Sequence, residues 1–497
     1  MPEDQNAPDP PPRDAGTHYG GAGSLRGGAG SLRGEAGSLR GEALRTDPRI
    51  AKAKALLNAA IAEHAPPPRV APPDPAQNDT HQALIRRLTA TRGGPPIWPY
   101  LSTGIGNGPY VELTDGSVKL DFIGGIGVHG GGHSHPDIVS AAVDAAIDDT
   151  VMQGNLQQHP PSITFAEKLI ALASATGAPL DRGLIATSGA MANENALKIA
   201  LHKRHPADRV LAFENAFAGR SLAMAALTDR GNYRSGLPIT IDVDYLPFRD
   251  HAADDFGMTR TMRYLDRLLD RHADRYAAFW AEPIAGEGGY YAGGGVFFRT
   301  ICDRLREANI PIIFDEVQSF GRTDRAFAFQ HYGLDEFADI VTVGKITQAC
   351  ATLWGESFQP NAPILSQTFT GSTAAIAAGI TMLDGLAADC FGDDGRNQRR
   401  HEYFTKRLSE LAGRHPGRIT GPFGVGMMIA FTPDDGSMDA AKSLLKRLYD
   451  AGLLAFICGG GGDRPARIRF LPPPLITTEA HIDTAVEILD GVLASDA

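Results

Sequence analysis

Lysine is scarce in this chain: ten lysines stand against 37 arginines in 497 residues. A lysine in an unusual place therefore carries information. Cysteine is scarcer, four in all, and Cys302, Cys350, Cys390 and Cys458 lie far apart. That spacing excludes a zinc knuckle and a C-x-x-C redox pair, and leaves reduced thiols in a cytoplasmic protein as the expectation. No apolar run approaches the ~20 residues of a membrane span. Met1 to Ala15, rich in Pro and Asp, lacks the apolar stretch of a secretory leader. Net positive charge is missing too: 47 Lys plus Arg against 58 Asp plus Glu leave −11, which argues against binding a phosphate backbone. The expected partners are small molecules, with neither nucleic acid nor membrane among them. The 43% of hydrophobic residues in a chain of this length can bury a core without staples.

The first 95 or so residues read differently from the rest. Proline clusters at Pro8 to Pro12 and Pro66 to Pro68. Between them a seven-residue unit containing A-G-S-L-R-G occurs three times, at Gly21 to Gly27, Gly28 to Gly34 and Glu35 to Gly41. One Leu per unit gives no coiled-coil seam, and Gly costs about 1 kcal/mol per helical position. Residues 1–95 are expected to be a low-complexity tail without a fixed fold, with one short helix from about Pro48 to Glu63. A chain starting near Arg92 is expected to fold and work. Tyr110 to Phe122 reads as a hairpin around Asp115-Gly116, and residues 96–150 are expected to join a smaller C-terminal part. Over residues 151–392 short apolar strands alternate with amphipathic helices: Leu184 to Thr187, Val210 to Phe213, Ala277 to Ala281, Pro311 to Phe314 and Ile340 to Val343. Short, apolar, non-alternating runs are buried on both faces, so the expectation is an α/β fold with a doubly wound, mostly parallel sheet. Residues 393–497 read as a smaller α+β part.

Several motifs could carry chemistry. Gly104 to Gly108 opens a hairpin rather than a helix, so it is no dinucleotide loop. His129, His133 and His135 could bind zinc, but no acidic residue sits between them, and a packed loop is favoured; no metal is expected. Ser188-Gly189-Ala190 stands between a strand and a helix, where free N–H groups form an anion cradle, although any βα turn looks similar. Asp315 and Glu316 end an apolar strand at the sheet edge where ligands collect. A carboxylate there needs a cation, either a metal or a protonated heterocycle, unless it merely caps a helix. Lys345 ends the next apolar strand. Desolvated, it would be a nucleophilic amine; extended to solvent, it would be inert. A phosphate cradle, a carboxylate and a lysine are together the three handles of pyridoxal 5'-phosphate.

From about residue 100 to 490 the chain resembles the class III aminotransferases, pyridoxal-phosphate enzymes of fold type I. The similarity is carried by Ala281 to Gly289 (A-E-P-I-A-G-E-G-G), Ile313 to Gln318, Phe320 to Thr323 and Asp339 to Lys345, with support from Gly132 to Pro136, Asn193-Glu194, Gly219-Arg220 and Arg467 to Pro473. The resemblance implies that Lys345 forms the Schiff base with the cofactor and that Asp315 pairs with the ring nitrogen. It implies that Gln318 lies near the ring hydroxyl and that Phe217 stacks on the ring. Ser188, Gly189 and Ala190 would hold the phosphate, and Thr368 would reach the phosphate of the other subunit of a homodimer. Glu287 and Arg469 resemble a pair that opens for a dicarboxylate.

The chain departs from the family pattern at Ala218, where His or Trp is usual, and at Met191, where an acidic residue is common. Gln318 to Phe320 is one residue short, Ile346 to Cys350 lacks glycines, and Thr373 stands where Pro is common. The activity implied is transamination from an ω-amino donor (acetylornithine, ornithine, lysine or 4-aminobutyrate) to a 2-oxo acid, 2-oxoglutarate first. A same-fold aminomutase, a decarboxylating transaminase and a non-catalytic scaffold are the alternatives. The presence of both Lys345 and Asp315 argues against the scaffold.

Overall fold

The structure is a computed structural model that describes residues 39–248, 255–462 and 464–495. Two compact units divide the chain, Met1–Asp47 and Pro48–Ala497. Of the first, the repeat units up to residue 38 lie outside the described residues, and the described part contains a six-residue helix, Arg40–Arg45.

The second unit is built on a seven-stranded sheet: β1 (Arg182–Ala186), β2 (Arg209–Phe213), β3 (Asp242–Leu246), β4 (Tyr276–Ala281), β5 (Ile312–Asp315), β6 (Ile340–Val343) and β7 (Cys350–Trp354). Their order is β1-β7-β6-β5-β4-β2-β3. All neighbours pair in parallel except β7, which runs antiparallel to both β6 and β1. Every residue of β4, β5 and β6 is buried, as expected of strands covered on both faces. The sequence reading located five of the seven. It passed over β3, an edge strand carrying Asp242 and Asp244, and β7, which opens Cys-Ala-Thr. β7 follows β6 too closely for a parallel crossover, so it turns straight back.

Side chains alternate across the sheet. Val210, Ala212, Ala278, Trp280, Ile313 and Ile340 meet the helix Gly189–Arg204 through Ala196, Leu197, Ile199 and Ala200. Leu211, Phe213, Phe279, Phe314, Val341 and Val343 meet the helices Asp255–Arg271 and Gly295–Glu307 through Leu265, Phe297, Ile301 and Leu305. Burial of each such side chain stabilises by about 1.5–3 kcal/mol before entropy. The result is the expected α/β architecture, with helices on both faces of a mixed, mostly parallel sheet.

A second core gathers the hairpin and the C-terminal part. Tyr110–Leu113 and Val118–Asp121 pair antiparallel around Gly116, and Leu453–Leu454 adds in parallel beside Val118–Asp121. A four-stranded antiparallel sheet (Ile419–Val425, Met428–Pro433, Ala466–Phe470, Phe456–Gly459) packs with the helices Arg396–Arg414, Met438–Ala451 and Glu479–Ala494. No helix among the described residues is long and apolar enough to cross a membrane.

The tail expected over residues 1–95 is too long. From Pro48 the chain belongs to the second unit, with helices at Pro48–His64 and Asn78–Arg92. Lys54 pairs with Asp144 at 2.8 Å and Asn58 donates to Ser140 Oγ at 3.1 Å. Ala71 and Val118 exchange backbone hydrogen bonds of 3.0 and 3.1 Å, and His81 is buried on Thr114 at 2.8 Å. The helix expected from about Pro48 to Glu63 is present as Pro48–His64, and the stretch after it supplies a strap across the hairpin and a second helix. Relative to a chain beginning at Pro48, one beginning at Gly93 loses these ties. Its thermal midpoint is expected to fall by about 2 °C or more; equal midpoints in calorimetry would show that the strap is ornamental.

Candidate active site

The C-terminal ends of β5 and β6 and the start of the helix Gly189–Arg204 meet at one rim of the large sheet. Asp315 closes β5 and is 5% exposed. Its Oδ2 accepts from Asn193 Nδ2 at 2.7 Å and its Oδ1 from Val317 N–H at 2.8 Å. Burial pushes its carboxyl group up to about 6, against the pull of those hydrogen bonds and of Lys345. Glu316, the next residue, faces the other way. It is fully buried, pushed up to about 7 by burial, accepts from Phe329 N–H at 2.8 Å and is bonded by Ser319 Oγ. The strand's alternation thus separates a carboxylate at the rim from one that caps the Ala328–His331 turn.

Lys345 follows Gly344 beyond β6, partly buried, with φ 53 in the left-handed region where a side chain is strained. Burial lowers the pKa of its amine; Arg469 pushes the same way, while Glu287 and Asp315 oppose. The shift is toward the neutral form, the direction a nucleophilic lysine requires.

Ser188 caps the helix Gly189–Arg204, its Oγ accepting from Met191 N–H at 3.2 Å. The Gly189 and Ala190 N–H groups, first in the helix, have no carbonyl one turn behind them. A Cβ on Gly189 would lie 2.8 Å from Val317 Cγ1, so only glycine fits here. Phe217 stands half-buried nearby, its N–H donating to Glu282 Oε1 at 3.1 Å.

Across from the rim, Arg469 on the strand Ala466–Phe470 is fully buried. Its Nη2 donates to Glu287 Oε1 at 2.5 Å and its Nη1 to Gln318 Oε1 at 3.3 Å, while its buried Nε meets no acceptor among the described residues. Burial alone would lower the Arg469 guanidinium, but Glu287, with Tyr290 and Cys458, outweighs it and the net shift is upward. Burial likewise works against the Glu287 carboxylate, and Arg469, with Lys345 and Arg230, brings it below its ordinary range. A cavity of about 960 Å³ opens beside Glu287, between Asn215, Arg230, Tyr233 and the glycines 459–462.

The structure therefore gathers Lys345, Asp315, Gln318, Glu287 and Arg469, with Phe217 and the Ser188–Ala190 turn around them. Thr368 is not among them. It is exposed, in a loop whose Gln367 C=O accepts from Asn155 N–H at 3.1 Å. The histidines form a packed loop: His133 Nε2 meets Asp121 Oδ2 at 2.9 Å, His129 stacks on His133 at 4.6 Å, and His135 caps the helix that follows. Gln348 and Thr373, both in departures from the family pattern, are anchored. Gln348 donates to Val128 O at 2.8 Å, and Thr373 accepts from Gln153 Nε2 at 2.9 Å.

Three residues escaped the sequence reading as site residues. Asn193 and Glu282 stood inside matched motifs, but nothing in their spacing announced a task. Glu282 accepts from Phe217 N–H and, at 3.0 Å, from Gly286 N–H, and burial raises its pKa. Arg220 stacks its guanidinium 3.7 Å from the Tyr233 ring and 5.8 Å from that of Phe217; one arginine among 37 carries no such signal.

A desolvated amine, a dry carboxyl group and an open helix N-terminus on one sheet rim define an enzyme of the doubly wound α/β class that works through an anionic cofactor. The chain belongs to the class-III aminotransferase family, whose pattern matches residues 99–493. It is 32% identical to the acetylornithine aminotransferase of Methanocaldococcus jannaschii, over 78% of this chain and 92% of that one. It is 31% identical to the acetylornithine aminotransferase of Corynebacterium efficiens, over 84% and 97%. The lysine aminotransferase of M. tuberculosis shares the fold with a TM-score of 0.73 at 24% identity, over 83% of this chain and all of that one. An amine transaminase from an uncultivated Pseudomonas species does so at 0.70 and 21%, over 79% and 94%. The chain is an aminotransferase, with an amino donor and a 2-oxo acid acceptor as substrates.

The raised Asp315 pKa makes a prediction for the cofactor-free protein. Below about pH 4 the native and unfolded chains both hold the proton. Between there and about 6 only the native chain does, so stability falls as pH rises through this window. The loss is on the order of 3 kcal/mol and persists above it. Asp315→Asn is expected to flatten this part of the profile and to stabilise the cofactor-free protein at pH 8. Denaturant titrations at pH 4.5 and 8 check this; a variant profile parallel to the parent's would contradict it.

Proposed function

We propose that this aminotransferase takes its amino group from an ω-amino donor of the acetylornithine, ornithine, lysine or 4-aminobutyrate kind and passes it to 2-oxoglutarate. The observation that carries the reading is the buried Arg469 fork held by Glu287. A dry guanidinium whose partner is a single side-chain carboxylate can exchange that partner for a substrate carboxylate. The names of the curated relatives support the donor class.

The residues present fit pyridoxal 5'-phosphate, the family's cofactor. Lys345 would hold its aldehyde, Asp315 its ring nitrogen, and Phe217 its ring face. Gln318 would lie near its hydroxyl, with Ser188, Gly189 and Ala190 around its phosphate. When bound, it supplies a carbonyl for the amino group and a protonated ring that accepts the electron pair left by the α proton. Asp315, a dry carboxylate at the rim, would pair with that ring nitrogen and keep it protonated. Lys345, with its amine pushed toward the neutral form, removes the proton from the donor carbon and returns it as general acid. Arg469 orients the 2-oxo acid through its carboxylate. Glu287 neutralises Arg469 when the donor brings none there.

We infer a homodimer in which the exposed Thr368 loop completes the partner's phosphate site. The four cysteines are unpaired, which supports a reducing, cytoplasmic location.

Lys345→Ala is expected to abolish turnover and borohydride trapping of the cofactor; an adduct on another lysine would move the site. Arg469→Ala is expected to slow the 2-oxoglutarate half-reaction on the order of a hundredfold, the worth of a buried charged contact. The ω-amine half-reaction should fall by less than about tenfold. Single-turnover absorbance measures each half separately, across a panel of amine donors. Equal losses would make Glu287–Arg469 a permanent structural pair and retire the gate.

A further inference from the structure

We propose that Asn193 is a positioning residue: one buried amide sets the Asp315 carboxylate against the cofactor ring nitrogen and fixes the Phe217–Ala218 backbone under the ring face. The proposal rests on the reading of Asp315 given above. Asn193 is 1% exposed, in the first turns of the helix Gly189–Arg204. It points at the face of the sheet that also carries Trp280, Ile313 and Ile340. By strand alternation the same face receives Asp315, two residues after Ile313, and Thr342, two after Ile340. Asp315 and Thr342 stand opposite one another in register. The amide therefore faces the ends of β4, β5 and β6 together.

All four of its contacts are made. Nδ2 donates to Asp315 Oδ2 at 2.7 Å and to Ala218 O at 2.8 Å. Oδ1 accepts from Thr342 Oγ1 at 2.7 Å and, weakly, from Trp280 Nε1 at 3.5 Å. The reversed amide would turn an oxygen on the Asp315 carboxylate and the Ala218 carbonyl, and an NH2 on the Trp280 N–H. Chemistry admits one orientation. The second task follows from Ala218. Its N–H donates to Thr228 Oγ1 at 3.0 Å and the preceding N–H, of Phe217, to Glu282 at 3.1 Å. With Asn193 on its carbonyl, this two-residue segment is pinned at three of its four backbone polar groups, which fixes the direction in which the Phe217 side chain leaves the backbone. A buried amide that merely filled space would need neither link; an isosteric leucine would serve.

The test uses full-length holoenzyme with Asn193→Ala and the isosteric Asn193→Asp, which keeps the volume but loses both donors. Three quantities are read: the dissociation constant of added pyridoxal phosphate, the absorbance of the bound cofactor, and kcat against KM. Expected are a tenfold or greater loss of cofactor affinity, a blue-shifted band from a less protonated ring, and a kcat lower by about tenfold to a hundredfold, with the donor KM within about threefold. If either variant folds and keeps cofactor affinity and spectrum within about twofold of the parent, even with a lower melting point, Asn193 is packing and the proposal is overturned. Asp315→Asn is run in parallel. If it keeps the parental spectrum and turnover, the Asp315 reading falls and takes this one with it. If only the Asn193 variants are silent, the Asp315 reading stands alone.

Discussion

The site depends on one costly group, a carboxylate at the end of a strand with no water around it. Removing a charge from water costs several kcal/mol unless partners replace the lost hydration. Asp315 obtains them from three directions. Asn193 reaches it from the covering helix, Val317 N–H from its own turn, and the Lys345 amine from the neighbouring strand end. None of these saturates it, so its acid form persists well above the ordinary range. A cationic ring nitrogen is the partner that would complete it. Glu316, its neighbour in sequence, is held in the same layer by a backbone N–H and a hydroxyl donor, and burial raises its pKa as well.

Two positions where the chain departs from the family pattern are accommodated by segments distant in sequence. The family's glycines after Lys345 are absent, and Ile346 is buried there instead. Room for it comes from Gly130, where a Cβ would sit 2.4 Å from Ile346 Cγ1. The glycine-rich loop at residues 124–132 thus takes up bulk from the lysine loop. At residue 373, where proline is common in the family, the hydroxyl at the helix start holds Gln153, tying that helix to the short strand Met152–Gln153.

The large sheet was legible because its central strands are short apolar runs with no alternation, a pattern that burial on both faces enforces. β3 and β7 were not, since an edge strand with two aspartates and a strand opening Cys-Ala-Thr carry no such signature. Lys345 and Asp315 were legible because lysine is rare here and a charged residue at the end of an apolar strand needs a reason. Arg469 and Glu287 came from resemblance alone; no local pattern distinguishes them from surface charges. Within residues 48–92 the helix near Pro48 was legible, but its attachment to the fold was not: the same Pro and Ala letters compose a loose linker or a packed strap, and only contact with Asp144, Ser140 and Val118 decides.

The position of β7 bears on how the molecule is made. β1 lies at the edge of the sheet, and among the described residues its only strand partner there is β7. β1 leads directly into the helix that begins at Gly189, so the N-terminal wall of the site hangs on a strand translated long before its neighbour. Until Trp354 has emerged, β1 has nothing in the sheet to pair with, and closing so long a loop is slow before contacts repay it. The same hairpin that brings β7 into place carries Lys345 at its bend. The candidate amine and the last strand neighbour of β1 therefore enter the fold together, on one short stretch of chain.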